Sequence, residues 1–249
     1  MEIPLQAHVE CTDKRGDMIP VITISRELGS EGENIAERVA ATLGYHFVDK
    51  KFIGDLLSEY GLVEFDREYE TSPGFWESFS ARQEKEREVM ADMLNKVVRA
   101  MAYHGNIVIL GRSGFEVLID FSDVLRVRLQ SPFSARVQQV MAQQKITDEQ
   151  AKAIVKESDK VRMAYVAEFY RAPWEAIQAF DLVINTSKIS PDLAETWVVN
   201  AAKAFVIGTE TDESITDSID VDPVLALAVS DRLNCNVAHS HHNEGGSVR

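Results

Sequence analysis

A short β-branched run, a glycine-containing loop and an amphipathic helix follow one another near the start of this chain of 249 residues. Residues 21–24 (VITI) predict a strand, and apolar residues at helical spacing over 35–43 predict the helix. A loop in this position points backbone N–H groups and the positive end of the helix dipole at one place, which suits an anion. The sequence therefore predicts that the unit of residues 21–43 binds phosphate.

The loop itself, residues 25–34 (SRELGSEGEN), departs from the phosphate-binding pattern G-x-x-x-x-G-K-[ST]. No lysine follows the glycine, and the serine or threonine that would hold Mg²⁺ is replaced by Glu33 or Asn34, depending on the alignment. The carboxylates of Glu31 and Glu33 would each repel a triphosphate by roughly 1 to 4 kcal/mol at 4 Å, depending on the local dielectric. Acids in a first helical turn also stabilise the helix by about 0.3 to 1 kcal/mol, so a purely structural role stays open. Arg26 is the only cation in the loop that could replace the lysine.

Four more apolar runs alternate with helical patterns along the chain. The runs lie at residues 45–48, 107–110, 124–129 and 182–185, and the helical patterns lie at 50–60, 81–103, 133–143, 148–169 and 190–204. Five strands separated by helices predict an α/β fold with a doubly wound parallel sheet. The aromatic-rich stretch 64–79 is the hardest to assign, and a mobile cap on the substrate side is one interpretation of it.

The chain is strongly acidic, with 26 lysines and arginines against 40 aspartates and glutamates and a formal charge of −14. That charge repels phosphate backbones and argues against nonspecific binding to nucleic acid or to an anionic membrane. No apolar run approaches the roughly 18 residues that span a bilayer, and the N-terminus lacks the pattern of a signal peptide. We therefore expect a cytoplasmic protein without nucleic-acid or membrane partners.

Three parts of the chain differ in composition. Residues 1–19 are polar and without pattern, which predicts a flexible N-terminal segment, and residues 20–205 hold the alternating strands and helices. Residues 206–249 form an acidic tail that we expect to be mostly disordered, although residues 224–233 could form a short helix. Cys11 and Cys235 lie one in each terminal segment without metal-ligand spacing. We expect both to be reduced thiols without a catalytic role, and we predict no metal site built from side chains.

Two groups of basic residues lie where a phosphate could bind. Arg112 follows the buried strand at 107–110, and the planar fork of an arginine at this edge could bind phosphate, with a surface salt bridge as the alternative. Lys160 and Arg162 lie on the helix predicted at 148–169. They could supply the positive charge that phosphoryl transfer needs, although a charged, solvated helix face would give the same pattern.

Four sequence blocks resemble, in order and spacing, the cytidylate kinase-like family, relatives of bacterial cytidylate kinase among the nucleoside-monophosphate kinases. The blocks are ITISRELGSEGENIAERVAATLGYHFVDKKFI, GNIVILGRSGFEVL, DKVRMAYVAEFY and FDLVINTSKIS, and together they cover about residues 20–205. The resemblance implies a P-loop NTPase-type three-layer fold with a five-stranded parallel sheet, a helical lid and substrate-side helices. It also implies ATP and Mg²⁺ as cofactors.

The same resemblance implies roles for individual residues. Asp159 and Arg162 match the lid motif Asp-x-x-Arg, and Arg136 matches a helix arginine of the family. The implied ATP-binding residues are Arg26, Gly29, Ser30, Glu31, Gly32, Glu33, Asn34 and Arg136; the implied acceptor-binding residues are Asp49, Arg112, Asp159 and Arg162; and the implied catalytic residues are Arg26, Lys160 and Arg162. The loop departs from the family pattern, because Glu31 replaces a glycine and Glu33 stands where a basic residue is expected.

Two functions remain compatible with the sequence. The resemblance implies a kinase that transfers the γ-phosphoryl group of ATP to a nucleoside monophosphate, with CMP and dCMP favoured. The missing lysine and the two loop acids favour the alternative, a catalytically impaired nucleotide sensor or protein-interaction module of the same fold. Both hypotheses make nucleotides the expected small-molecule partners.

Overall fold

A computed structural model of the protein describes residues 20–59, 81–111, 113–171, 176–205 and 214–235. The predicted flexible segment at 1–19, the aromatic stretch at 64–79 and Arg112 lie outside these residues. Within the described residues, no helix combines the length and the apolar character needed to cross a membrane.

Five parallel strands form one sheet in the order β2-β3-β1-β4-β5. The strands are β1 (Val21–Arg26), β2 (His46–Val48), β3 (Ile107–Leu110), β4 (Val124–Gln130) and β5 (Leu182–Asn185). β1 connects to β2 on one side, whereas its neighbour β3 connects to β4 on the other side, so the connections that leave these two adjacent strands diverge. In open α/β sheets a ligand binds at such a switch point. The predicted parallel sheet is confirmed, and its order directs attention to the carboxyl end of β1.

Eight α-helices accompany the sheet in the described part of the chain. They are α1 (Gly32–Leu43), α2 (Lys50–Glu59), α3 (Ala81–His104), α4 (Gly114–Val117), α5 (Phe133–Gln144), α6 (Asp148–Tyr170), α7 (Pro191–Lys203) and α8 (Pro223–Arg232). Local sequence signals explain several of their ends. Thr147 and Gln150 form a capping box at α6, and Ser190 caps α7 before its first-turn proline.

Helices cover both faces of the sheet, which confirms the predicted three-layer fold. On one face α1 and α7 bury Ile35, Val39 and Val198 against β1, β3 and β4. On the other face α2, α3 and α8 build the larger core, which includes Leu56 and Met101. Each of these fully buried side chains contributes roughly 1.5 to 3 kcal/mol through its removal from water. The two cores fix the strand ends that carry the loops of the candidate site.

The C-terminal residues 214–235 pack on the domain, which differs from the expected mostly disordered tail. Leu225, Val229 and Leu233 recur every fourth residue and enter the larger core. Asp123, which is buried, accepts bonds from the backbone N–H of Thr216 at 2.9 and 3.0 Å and from its hydroxyl at 2.6 Å. The short helix considered at 224–233 is present as α8, whereas its packing on the domain was not predicted. Residues 206–213 and 236–249 lie outside the described part.

Cys235 is disulfide-bonded and buried, so the expectation of a reduced thiol at this position is wrong. Two cysteines far apart in sequence give no pairing signal, and only the return of α8 to the core brings Cys235 inside. Cys11 lies outside the described residues. Nearby, Sγ of Cys235 lies 3.3 Å from Nε2 of His46, whose ring meets that of His104 edge-on at 5.9 Å. Burial, and to a smaller extent His104, lowers the pKa of His46.

Candidate nucleotide site

The loop between β1 and α1 is a compact turn that ends at the amino terminus of α1. The hydroxyl of Ser30 donates to the backbone carbonyl of Glu27 at 2.8 Å, and Gly29 has a left-handed backbone with φ 81°. Glu31 precedes the helix with φ 60°. A residue other than glycine adopts this conformation at a cost of roughly 1 to 2 kcal/mol. Glu31 therefore holds the backbone in a shape that glycine would adopt without strain.

Arg26 lies across the start of α1. A Cβ added to Gly32 would lie 2.5 Å from Cβ and 2.7 Å from Cγ of Arg26, far inside carbon–carbon contact distance. A Cβ added to Gly111, in the loop after β3, would overlap Nη1 of Arg26. The stem of Arg26 thus passes Gly32 and its guanidinium reaches Gly111. In the alignment that puts Gly32 at the lysine position of the phosphate-binding pattern, Arg26 fills the space beside that position.

Glu31 and Glu33, the two loop acids discussed in the sequence analysis, have different surroundings. Oε1 of Glu31 accepts a bond from Nε2 of Gln143 on α5 at 3.1 Å, and Oε2 accepts one from Nδ2 of Asn34 at 3.4 Å. Glu33 is exposed in the first turn of α1. The carboxylate of Glu31 is therefore bound by neutral amides of α5 and α1, and that of Glu33 is open to water.

A third loop acid, Glu27, was not singled out by the sequence analysis. Its Oε2 accepts a bond from the backbone N–H of Ser131 at 2.9 Å and lies 3.3 Å from Nε of Arg136. Its Oε1 lies 3.5 Å from Nη2 of Arg128. A signal was present, because an arginine inside the apolar run of β4 requires an acid or an equivalent partner in the interior.

Arg136 and Asp159, assigned above to ATP and acceptor binding, contact each other. Nη1 and Nη2 of Arg136 donate to the two carboxylate oxygens of Asp159 at 3.0 and 2.8 Å. Nε of Arg136 also donates to the carbonyl of Ser131 at 3.0 Å. The backbone of Arg136 touches the loop as well, because a Cβ on Gly29 would lie 2.6 Å from its carbonyl oxygen. The bidentate pair of Arg136 with Asp159 therefore joins the loop to helix α6.

The remaining predicted residues that the structure describes lie on α6 and at the start of α2. On α6, Lys160 is exposed and Nη1 of Arg162 donates to the hydroxyl of Ser158 at 2.6 Å. Asp49 follows β2 and accepts from the backbone N–H of Phe52 at 2.8 Å, so it caps the first turn of α2. Asp49 and β1 share the carboxyl edge of the sheet.

The pKa of Glu37, on α1, responds to the negative charges near this end of the helix. Its pKa is raised by burial first, and then by the charges of Glu33 and Asp49. A cation or a basic side chain is therefore favoured beside α1, whereas additional negative charge has to be bound by positive groups elsewhere in the site.

Comparison with known proteins agrees with this architecture. The chain is 25% identical over 186 residues to the cytidylate kinase of Natronomonas pharaonis, covering 74% of this chain and 90% of that protein. It is 24% identical over 196 residues to the cytidylate kinase of Halobacterium salinarum, covering 79% and 95%. A solved structure of an uncharacterized protein from Eubacterium ventriosum superposes with a TM-score of 0.57 at 19% identity, covering 74% of this chain and 99% of that one.

The fold is thus a kinase-like, nucleotide-binding one. The model of the cytidylate kinase-like family matches residues 21–188. Because this match covers more than half of the chain, the protein belongs to the cytidylate kinase-like family.

Proposed function

We propose that the protein transfers the γ-phosphoryl group of ATP to a nucleoside monophosphate, with CMP and dCMP as the first acceptors to test. The observation that carries the proposal is the position of Arg26, whose side chain crosses the start of α1 where the lysine of the phosphate-binding pattern is missing. The similarity to two cytidylate kinases supports the same reaction class.

The loop supplies the groups that a triphosphate requires. Backbone N–H groups at the start of α1 and the positive end of its dipole attract the phosphates, and Ser30 keeps the turn closed. Arg26 adds the local positive charge. Of the loop acids, Glu31 is bound by amides and Glu33 is exposed, so their repulsion falls toward the lower end of the range, about 1 kcal/mol at 4 Å in water.

The reaction needs positioning and charge neutralisation rather than a covalent intermediate. A phosphate oxygen of the acceptor attacks the γ-phosphorus, the bond to the bridging oxygen breaks, and ADP leaves with that electron pair. Asp49 and Arg112 would hold the acceptor, and Lys160 and Arg162 on α6 would approach the transferred group. Glu33 and Asn34 carry oxygen atoms of the kind that Mg²⁺ binds, and bound Mg²⁺ would neutralise charge on the phosphates.

Incubation of the purified protein with Mg-ATP and each of the common monophosphates tests the proposal. ADP and the acceptor diphosphate should form together in equal amounts, fastest with CMP or dCMP. Arg26→Ala should lower kcat/KM by about 100-fold, the loss expected for a removed charge-stabilising donor. Arg26→Lys should retain part of the wild-type kcat/KM. Lys152→Ala, which removes an exposed charge from α6, is the control. Absence of diphosphate above the no-enzyme level with every acceptor rules out the kinase.

A nucleotide sensor is the second candidate, and the acids of the loop favour it. A sensor binds nucleotide without turnover, so thermal denaturation separates the two functions. A nucleotide at 100 times its dissociation constant stabilises the folded state by about 2.7 kcal/mol. Stabilisation by ATP without diphosphate formation supports the sensor. As part of either proposal we place the protein in the cytoplasm, with nucleotides rather than nucleic acid or membranes as its partners.

A further inference from the structure

Two buried arginines and two carboxylates form a continuous chain beside the phosphate loop. Arg128 is 3% and Arg136 is 5% exposed. Glu27 lies within ion-pair distance of both, and Asp159 binds the outer face of Arg136. The chain runs Arg128, Glu27, Arg136, Asp159, with two positive and two negative groups. Removal of one carboxylate leaves an interior excess of positive charge, which is costly in a low dielectric.

Glu27 is also fixed to the backbone on both sides of the loop. Its own N–H donates to the carbonyl of Leu129 at 3.2 Å, and its carbonyl accepts from the N–H and the hydroxyl of Ser30 at 3.3 and 2.8 Å. Its carboxylate accepts from the N–H of Ser131. One residue therefore binds the turn of the phosphate loop, the end of β4 and the residues that lead into α5.

The bidentate pair of Arg136 with Asp159 connects Glu27 to helix α6. Asp159 lies on the same helix as Lys160 and Arg162, the two basic residues that the proposed reaction requires near the transferred group. A bidentate arginine–carboxylate pair fixes orientation as well as distance. Glu27 thus holds Arg136, Arg136 holds Asp159, and Asp159 sets the placement of the basic residues on α6.

We propose that Glu27 is a positioning residue that couples the phosphate loop to helix α6 through Arg136 and Asp159. The coupling makes the loop and the helix respond together when nucleotide binds, and in that respect it rests on the proposed function. It assigns Arg136 and Asp159 to each other, in contrast to the nucleotide contacts that the family resemblance implied. Glu27 touches neither nucleotide nor reacting atoms in this proposal.

Amide hydrogen exchange on the full chain, without nucleotide, tests the coupling directly. Glu27→Gln and Asp159→Asn each remove one carboxylate, and Glu157→Gln removes an exposed one from α6 as a control. Each of the first two variants should raise exchange about fivefold or more in both the loop and the middle of α6, because a coupling free energy is reciprocal. Exchange in α7, which holds none of the four charged residues of this chain, should not change.

The pattern of exchange decides the proposal. If Glu27→Gln affects only the loop while Asp159→Asn affects only α6, the two elements are not coupled. If exchange rises equally in α7, Glu27 acts on global stability and the proposal is overturned. Should Glu27→Gln fail to fold, Asp159→Asn alone decides, since the coupling requires it to loosen the loop.

Nucleotide adds a readout that a structural role would not change. In the wild type, ATP should slow exchange in both the loop and α6, whereas in Glu27→Gln the protection of α6 should be smaller, because only the direct approach of Lys160 and Arg162 to the phosphates remains. Glu27→Asp keeps the charge and should restore part of the effect on α6. If ATP protects α6 equally in Glu27→Gln, the coupling is refuted. If the wild type forms no diphosphate, the kinase proposal fails, and the exchange pattern without nucleotide still judges the role of Glu27.

Discussion

Replacement of Gly32 by alanine tests whether Arg26 occupies the space beside the start of α1. Gly32 lies in the helix with no left-handed backbone, so alanine fits its conformation and, by propensity, would stabilise a helix interior by about 0.8 to 1 kcal/mol. The new Cβ would however lie 2.5 Å from Cβ of Arg26. Ordinary carbon contacts begin near 3.5 Å, so one of the two residues has to move by about 1 Å.

Neither residue can move without disturbing its element. Arg26 ends β1 in register with Leu129, and Gly32 begins α1. Overpacking of this kind costs typically about 1 to 3 kcal/mol, which exceeds the gain in helix propensity. Gly32→Ala should therefore lower the free energy of unfolding, although the same change at an uncrowded helix position would raise it.

A double-mutant cycle measured by urea unfolding isolates the contact. Arg26→Gly removes the clashing Cβ, so Gly32→Ala should be neutral or stabilising in that background, with a coupling of about 1 to 3 kcal/mol. Additive effects within about 0.5 kcal/mol would refute the placement of Arg26. Gly32→Lys in the Arg26→Gly background restores a lysine to the loop and should recover the ATP-induced thermal shift that Arg26→Gly loses.

Three further outcomes follow from the structure. Glu31→Gly removes the left-handed strain and a negative charge, so it should raise the unfolding free energy by up to about 1 kcal/mol and strengthen the ATP-induced thermal shift; a loss of stability would contradict the strain. Because burial and a second histidine lower the pKa of His46, the unfolded chain binds more protons than the folded one, and stability should fall as pH drops through 6.5 toward the lowered pKa. Urea unfolding of His46→Asn across this range should show a weaker pH dependence, and an unchanged slope would exclude His46 as its source. Thr216→Val removes a hydroxyl bonded to the buried carboxylate of Asp123 and should cost about 1.5 to 3 kcal/mol, against less than about 0.5 for the exposed control Ser218→Ala; equal losses would contradict this contact.

The strands and most helices could be predicted because their signals are local. An apolar run such as that at 107–110 predicts a buried parallel strand without knowledge of the strands beside it. Thr147 and Gln150 mark the start of α6 because they form a capping box three residues apart. The strand, loop and helix of residues 21–43 could be located for the same reason, and phosphate binding there stays a prediction. The position of the loop between a strand and a helix is sufficient to indicate an anion site, even where the lysine is missing.

Contacts between distant parts of the chain could not be predicted in the same way. The approach of Arg26 to Gly111 depends on β3 lying next to β1, an order that the sequence does not state. The acid count of the C-terminal segment suggested disorder, yet Asp222 caps α8 through bonds to two backbone N–H groups. Charge composition describes the average of a segment, whereas packing depends on a few apolar positions at the correct spacing.

The repulsion that the loop acids exert on a phosphate depends on where each carboxylate lies in the fold. Counted together, the carboxylates of the loop oppose phosphate binding. In the fold, Glu27 is paired with two buried arginines, Glu31 is bound by two amides and Glu33 faces water. The missing lysine is therefore the larger departure, and under the proposed function Arg26, whose side chain crosses Gly32, would take its place. Nucleotide binding should then depend more strongly on Arg26 than on any one acid of the loop.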